Sequence, residues 1–150
     1  MNIGVLAVRK MGDWKLQRQK MDVALKSRIV PLLRKMGFRG SYPHFRRILE
    51  QRVDTIGFQF SQWGPQFYVE IGVAEPDGNT LLDGTHFPPA SLKYYQCPER
   101  ARLGELPFDF DERPADPIAD LVKNLFVAAE SEWEILFLNY QKKPRGKENP

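Results

Sequence analysis

Val53-Asp-Thr-Ile-Gly-Phe-Gln-Phe-Ser-Gln-Trp-Gly-Pro-Gln-Phe-Tyr-Val-Glu-Ile-Gly-Val73 alternates with a period of two residues in each of its halves. In the first half Ile56, Phe58 and Phe60 share one face and Thr55, Gln59 and Ser61 the other, the pattern of a half-buried strand. In the second, Phe67, Val69, Ile71 and Val73 alternate with Tyr68, Glu70 and Gly72. Trp63-Gly64-Pro65-Gln66 between them carries turn chemistry. The stretch therefore predicts two adjacent antiparallel strands, each with one apolar and one more polar face.

Working outward toward the N-terminus, residues 44–49 predict a preceding strand with Phe45 alternating against Arg46, and a turn at residues 50–52 leads into the hairpin. Together these make a three-stranded meander, the smallest sheet expected to stand when a helix covers it. Arg39-Gly-Ser-Tyr-Pro43 reads as a loop. Before it, Trp14, Met21, Leu25, Ile29, Leu32 and Met36 recur at helical spacing, with Asp13 as a candidate N-cap. Pro31 lies inside the pattern and predicts a kink or two consecutive helices, because proline has no amide to donate and crowds the preceding turn. Gly37 is placed to end the helix and Phe38 to pack back on its last turn. Residues 1–12 read as a weakly ordered extension or an edge strand.

Beyond Val73, Glu75-Pro-Asp-Gly-Asn79 and Asp83-Gly84 are turn signals, and Phe87-Pro-Pro-Ala90 is excluded from a central strand. This segment reads as a surface excursion, with a short strand at residues 92–96 and an ambiguous stretch at 100–106. Asp116 and Pro117 suit the N-cap and first position of a helix. From there Ile118, Leu121, Val122, Leu125, Phe126, Ala129, Trp133, Leu136, Phe137 and Tyr140 form a broad apolar stripe. Residues 141–150 read as a disordered basic tail. The expectation is one α+β domain over residues 13–140. Its antiparallel sheet of about four strands is covered on one face by a kinked N-terminal helix and a long C-terminal helix.

A chain of 150 residues has the size of one domain and can bury about 70% of the surface of its unfolded form. Cys97 is alone, which excludes an internal disulfide, and with only His44 and His86 beside it a cysteine-rich zinc site is not expected. A reducing, cytoplasmic setting follows. The apolar residues near the start lack the flanks of a signal peptide, and no window reaches the about 20 apolar residues of a membrane span. Charge is uneven: residues 9–52 hold thirteen Lys/Arg against three acids, and residues 53–140 hold five against fifteen. One interpretation is a basic helix lying beside acidic segments of its own domain; the other is a nucleic-acid surface over the basic block. A net charge of only +3 favours the first.

Leu32-Leu-Arg-Lys-Met-Gly-Phe38, then Phe58-Gln-Phe-Ser-Gln-Trp-Gly64, Phe67-Tyr-Val-Glu-Ile-Gly-Val73 and Arg102-Leu-Gly-Glu-Leu106 resemble the bacterial domain-of-unknown-function family 4304. Where that family often has an aspartate followed by paired tryptophans, this chain has Phe108-Asp-Phe-Asp111. The resemblance implies a helix-plus-antiparallel-sheet domain. It carries no catalytic residue over, and it is compatible with interaction or toxin-immunity roles.

The polar side chains opposite the hairpin's aromatics, Gln59, Ser61, Tyr68 and Glu70, with Arg46 nearby and Trp63 at the tip, are the candidate ligand or partner surface. An ordinary solvated sheet face has the same pattern. Asp109, Asp111 and Glu112 offer oxygens to a hard cation, and His86 beside Asp83 suggests an oriented base. Phosphate-loop, dinucleotide, zinc-helix and nucleophile-elbow motifs are absent from the sequence. The expected function is a non-catalytic binding module for a protein partner, with no cofactor and no metal. The alternatives are an enzyme using carboxylates and histidine in residues 75–112, and nucleic-acid binding through residues 9–52.

Overall fold

The computed structural model describes residues 3–111 and 113–144. Helix α1 (Ile3–Arg28) and the short α2 (Val30–Lys35) precede strands β1 (Arg39–Ser41), β2 (His44–Ile48), β3 (Val53–Phe60) and β4 (Gln66–Ala74). A small hairpin, β5 (Asn79–Thr80) and β6 (His86–Phe87), leads through two 3-10 turns to the long strand β7 (Glu99–Asp109). Helices α3 (Ala115–Ala128) and α4 (Glu130–Lys142) follow. Strands β1-β2-β3-β4-β7 form one antiparallel sheet in that order. The architecture is α+β, with the helices on one face of the sheet.

The hairpin at the centre of the sequence is the centre of the sheet. Phe60 pairs with Phe67, Phe58 with Val69 and Ile56 with Ile71, so the apolar positions of both strands line up beneath the helices. Phe58, Phe67, Val69 and Ile71 join Met21, Leu25, Ile29 and Leu33 of the N-terminal helices and Val122, Phe126 and Trp133 of the C-terminal pair in one core. Trp133 is fully buried and donates its indole N–H to the carbonyl of Thr55 at 3.0 Å.

Pro31 falls in the first turn of α2, where a missing amide costs nothing. The Ile29 amide bonds Leu25 and the Ile29 carbonyl receives the Leu33 amide, both at 2.9 Å, so the hydrogen-bond ladder bends between α1 and α2 without ending. Gly37 closes α2 as expected, with φ +96. The Phe38 amide reaches the Leu33 carbonyl at 2.9 Å and the Gly37 amide reaches Arg34 at 3.1 Å, and Phe38 packs into the core.

Several expectations need correction. Residues 39–41 are an edge strand rather than a loop, because Tyr42-Pro43 closes a tight turn that sets Ser41 opposite His44. Residues 3–12 continue α1 as helical backbone and are not an edge strand. The ambiguous stretch at 100–106 belongs to β7, which gives the sheet a fifth strand. Residues 92–96 are not a strand, since a 3-10 turn occupies Tyr94–Gln96. The C-terminal stripe is divided at Ala129 (φ −97, ψ 1). That division lets α3 pack on α1 while α4 packs on β4 and β7. Asp116 lies inside the first turn of α3, and its carboxylate pairs with Arg28 of α1 at 3.2 Å instead of capping. Of the expected tail, Gln141 and Lys142 end α4, and residues 145–150 lie outside the described residues.

Arg47 shares the helix-covered face with Phe45, a position that strand alternation assigns to the core. Its Nη2 lies 2.8 Å from Asp54 Oδ2 and 2.6 Å from Glu130 Oε1, and its Nη1 donates to the Met36 carbonyl at 3.1 Å. Arg52 Nε holds the other oxygen of Asp54 at 2.6 Å. The guanidinium of Arg47 also sits 4.6 Å from the Phe38 ring centroid. A buried charge is tolerated when paired and hydrogen-bonded in this way.

Candidate binding site

The second face of the sheet, away from the helices, is ordered in cross-strand rows. His44, Gly57, Glu70 and Arg102 form one row, and Arg46, Thr55, Gly72 and Arg100 the next. Gln59 and Tyr68 face each other one step nearer the hairpin turn. The excursion at residues 75–98 folds back over part of this face.

Leu92 packs on Val53 and Ala74 to make a second, small core, with Phe87 and Cys97 against it. The Tyr94 ring lies directly over Gly57, where an added Cβ would meet its Cε1 at 2.7 Å. Cys97 lies over Gly72 in the same manner, with a Cβ-to-sulfur separation of 2.8 Å. The two glycines thus make room for the excursion in the middle of a sheet, a use of strand glycine where another segment must approach closely. Arg46 Nε donates to the Leu92 carbonyl at 2.9 Å, which ties the segment down.

What the excursion leaves uncovered is a cavity of about 500 Å³ lined by Gln59, Glu70, Tyr94, Tyr95, Arg100 and Arg102. Arg102 Nε donates to Glu70 Oε1 at 2.9 Å, and its guanidinium lies 3.6 Å from the Tyr68 ring centroid. That pair neutralises Glu70 and fixes Arg102. The Gln59 amide, the Tyr94 and Tyr95 hydroxyls and the Arg100 guanidinium make no hydrogen bond or ion pair with the described residues. Burial pushes the Tyr94 phenol up, with the Glu70 charge adding to it, so the hydroxyl stays a donor. At the rim, His44 stacks on Tyr94 at 5.9 Å and meets Tyr95 edge-on at 5.8 Å. Burial lowers the His44 pKa, and the charges of Lys93 and Arg46 lower it further.

Of the sequence candidates, Gln59, Tyr68 and Glu70 come together at this cavity, Tyr68 through the arginine stacked on it. Arg46 holds the excursion, and the Ser61 hydroxyl accepts the Trp63 amide at 3.0 Å within the hairpin turn. Trp63 stands 90% exposed at the tip. Sequence reasoning missed Tyr94, Tyr95, Arg100 and Arg102. The alternation of Arg100 and Arg102 with Ala101 and Leu103 was the signal for the last two.

The other candidates do not gather. Asp83 accepts the Thr85 amide at 2.9 Å and His86 Nδ1 pairs with the Thr80 hydroxyl at 2.8 Å, both within the hairpin after β4. Asp109 pairs across the sheet with Gln66 at the opposite end of β4 and accepts the Asp111 amide at 2.9 Å. Glu112 lies outside the described residues. Among the described residues no three His, Cys, Asp or Glu side chains are grouped to hold a metal ion, and no helix is long and apolar enough to cross a membrane. The basic block is partly met by the acidic one: Arg28 reaches Asp116 and Asp120, and Arg47 and Arg52 reach Asp54.

A bent helical pair and a helical C-terminal pair on one face of a five-stranded meander define a small α+β domain. The chain belongs to the domain-of-unknown-function family DUF4304, which matches residues 29–137. No curated protein and no solved structure matches it.

Proposed function

We propose that the protein is a non-catalytic binding module whose second sheet face holds an acidic segment of a partner protein. The observation that carries this is the unpaired Arg100 guanidinium beside the unpaired Gln59 amide and Tyr94 and Tyr95 hydroxyls, all on one cavity. Four donors without partners are matched by a carboxylate, which only accepts when ionised. Rigid strands beneath them reduce the ordering cost of binding. Arginine, tyrosine and tryptophan are also the side chains that most often anchor protein interfaces; Tyr95 is exposed on the cavity and Trp63 at the hairpin tip.

The test is fluorescence anisotropy with a labelled heptapeptide of alternating glutamate and valine against the purified protein. Arg100→Ala, at an exposed position, is expected to leave the fold intact and weaken binding by about ten-fold, the scale of one lost charge-assisted hydrogen bond. Binding should fall as salt rises. No binding of glutamate-containing peptides, or binding indifferent to Arg100→Ala and Tyr95→Ala, would sink the proposal.

A further inference from the structure

Strand β7 is the open edge of the sheet beside this cavity. Its inner side pairs with β4 from Val73↔Glu99 to Val69↔Leu103, and among the described residues no strand lies on its outer side. Past Leu103 the register shifts and Gly104 takes φ +81, so the straight segment is residues 99–103. Along it, Arg100 and Arg102 project to the cavity face and Ala101 and Leu103 to the helix face. Arg100, Ala101 and Arg102 are exposed.

Proteins usually shield an edge by keeping it short or by turning charges across it. The opposite edge, β1, is three residues long, whereas β7 spans eleven. Arg102 is turned back onto Glu70 and Tyr68, away from the edge. We infer that the partner segment docks as an added sixth strand on β7, placing an acidic side chain over Arg100, beside the Arg102–Glu70 pair, and apolar ones over Ala101 and Leu103. Backbone hydrogen bonds to residues 99–103 would supply affinity, and the alternation would supply specificity, as in other strand-addition complexes. Charge selects the occupant. A second copy pairing through β7 would set the arginines of both copies against each other, and like charges across a strand pair are unfavourable.

This inference rests on the acidic-segment proposal, and the experiment separates the two. Four acetylated, amidated heptapeptides are compared: alternating glutamate and valine, the same residues blocked as four glutamates then three valines, and two versions of the alternating peptide N-methylated at every second amide, one in each register. Strand addition predicts that the alternating peptide binds on the order of ten-fold tighter than the blocked one and slows exchange of the outward amides of residues 99–103 by a similar factor. One N-methylated register should lose binding while the other keeps it. Equal affinity of the alternating and blocked peptides with no new amide protection would overturn strand addition and leave acidic recognition standing. Absence of binding by both would overturn the two together. Protection of residues 99–103 that grows with protein concentration, without peptide, would show a second copy on the edge and overturn the assignment to a partner.

Discussion

Gly57 and Gly72 sit where a side chain is normally needed to hold a sheet, and they are compensated by Tyr94 and Cys97 from 37 and 25 residues further along the chain. A methyl at residue 57 would strike the Tyr94 ring, which stacks on His44 on its way to the cavity. Gly57→Ala is therefore expected to cost about 1–3 kcal/mol, the range for overpacking, read as a lowered urea midpoint. His44 makes a second residue-scale prediction. Its Nδ1 is buried without a partner among the described residues, and burial, then Lys93 and Arg46, hold its pKa below the ordinary 6.5. The unfolded chain then binds the proton first, so the His44 contribution to stability is complete above pH 6.5 and is lost as pH falls from there toward the lower folded pKa. His44→Phe, which keeps an aromatic ring against Tyr94 and Tyr95, should flatten that part of the stability profile in pH-dependent urea melts.

Between elements, the Arg47 cluster joins the end of α2, strands β2 and β3 and the start of α4. Its carboxylates are not equivalent: Asp54 is 0% exposed and holds two arginines, while the Glu130 side chain is 59% exposed. Asp54→Ala should cost about 3–5 kcal/mol by leaving buried charge uncompensated, and Glu130→Ala only about 0–1 kcal/mol. Equal losses in parallel thermal melts would mean that the cluster acts as a surface network. The central hairpin, the bend at Pro31 and the close at Gly37 were legible because alternation, a missing amide and a C-terminal glycine act locally. Strand β1 and the division at Ala129 were not, since each depends on what packs against it. Arg47 was hidden for a related reason: alternation places it in the core beside Phe45, and only the distant Asp54 and Glu130 make that position tolerable. At the cavity, period two put Gln59, Tyr68 and Glu70 on the face away from the helices. Tyr94 and Tyr95 arrive there only because Leu92 seats on Val53 and Ala74.

For the molecule as a whole, the two sheet faces differ in how firmly they are covered. The helix face carries the large aromatic and aliphatic core, while the excursion is held by the small cluster of Val53, Ala74 and Leu92 with Phe87 and Cys97 against it. Fewer buried apolar contacts imply a lower free energy of local opening, so residues 75–98 should lift from the sheet without unfolding β3 and β4. Cys97 reports that motion. Burial pushes its thiol up to about 12, with the Thr55 hydroxyl 3.4 Å from the sulfur partly opposing the rise. At pH 8 the closed form is thus inert to a thiol reagent, and modification proceeds through the opened form. Its rate should be nearly independent of low urea concentrations, whereas amide exchange at Ile56 and Ile71, in the large core, should quicken as urea promotes global unfolding. Arg46→Ala removes the 2.9 Å bond to the Leu92 carbonyl. Labelling should then accelerate by about ten-fold, the scale of a hydrogen bond from a charged donor, with the global urea midpoint changing far less. If Cys97 labelling instead tracks the exchange of Ile56 and Ile71 at every urea concentration, the excursion and the sheet open as one unit, and the Tyr94–Tyr95 wall of the cavity is as rigid as its floor.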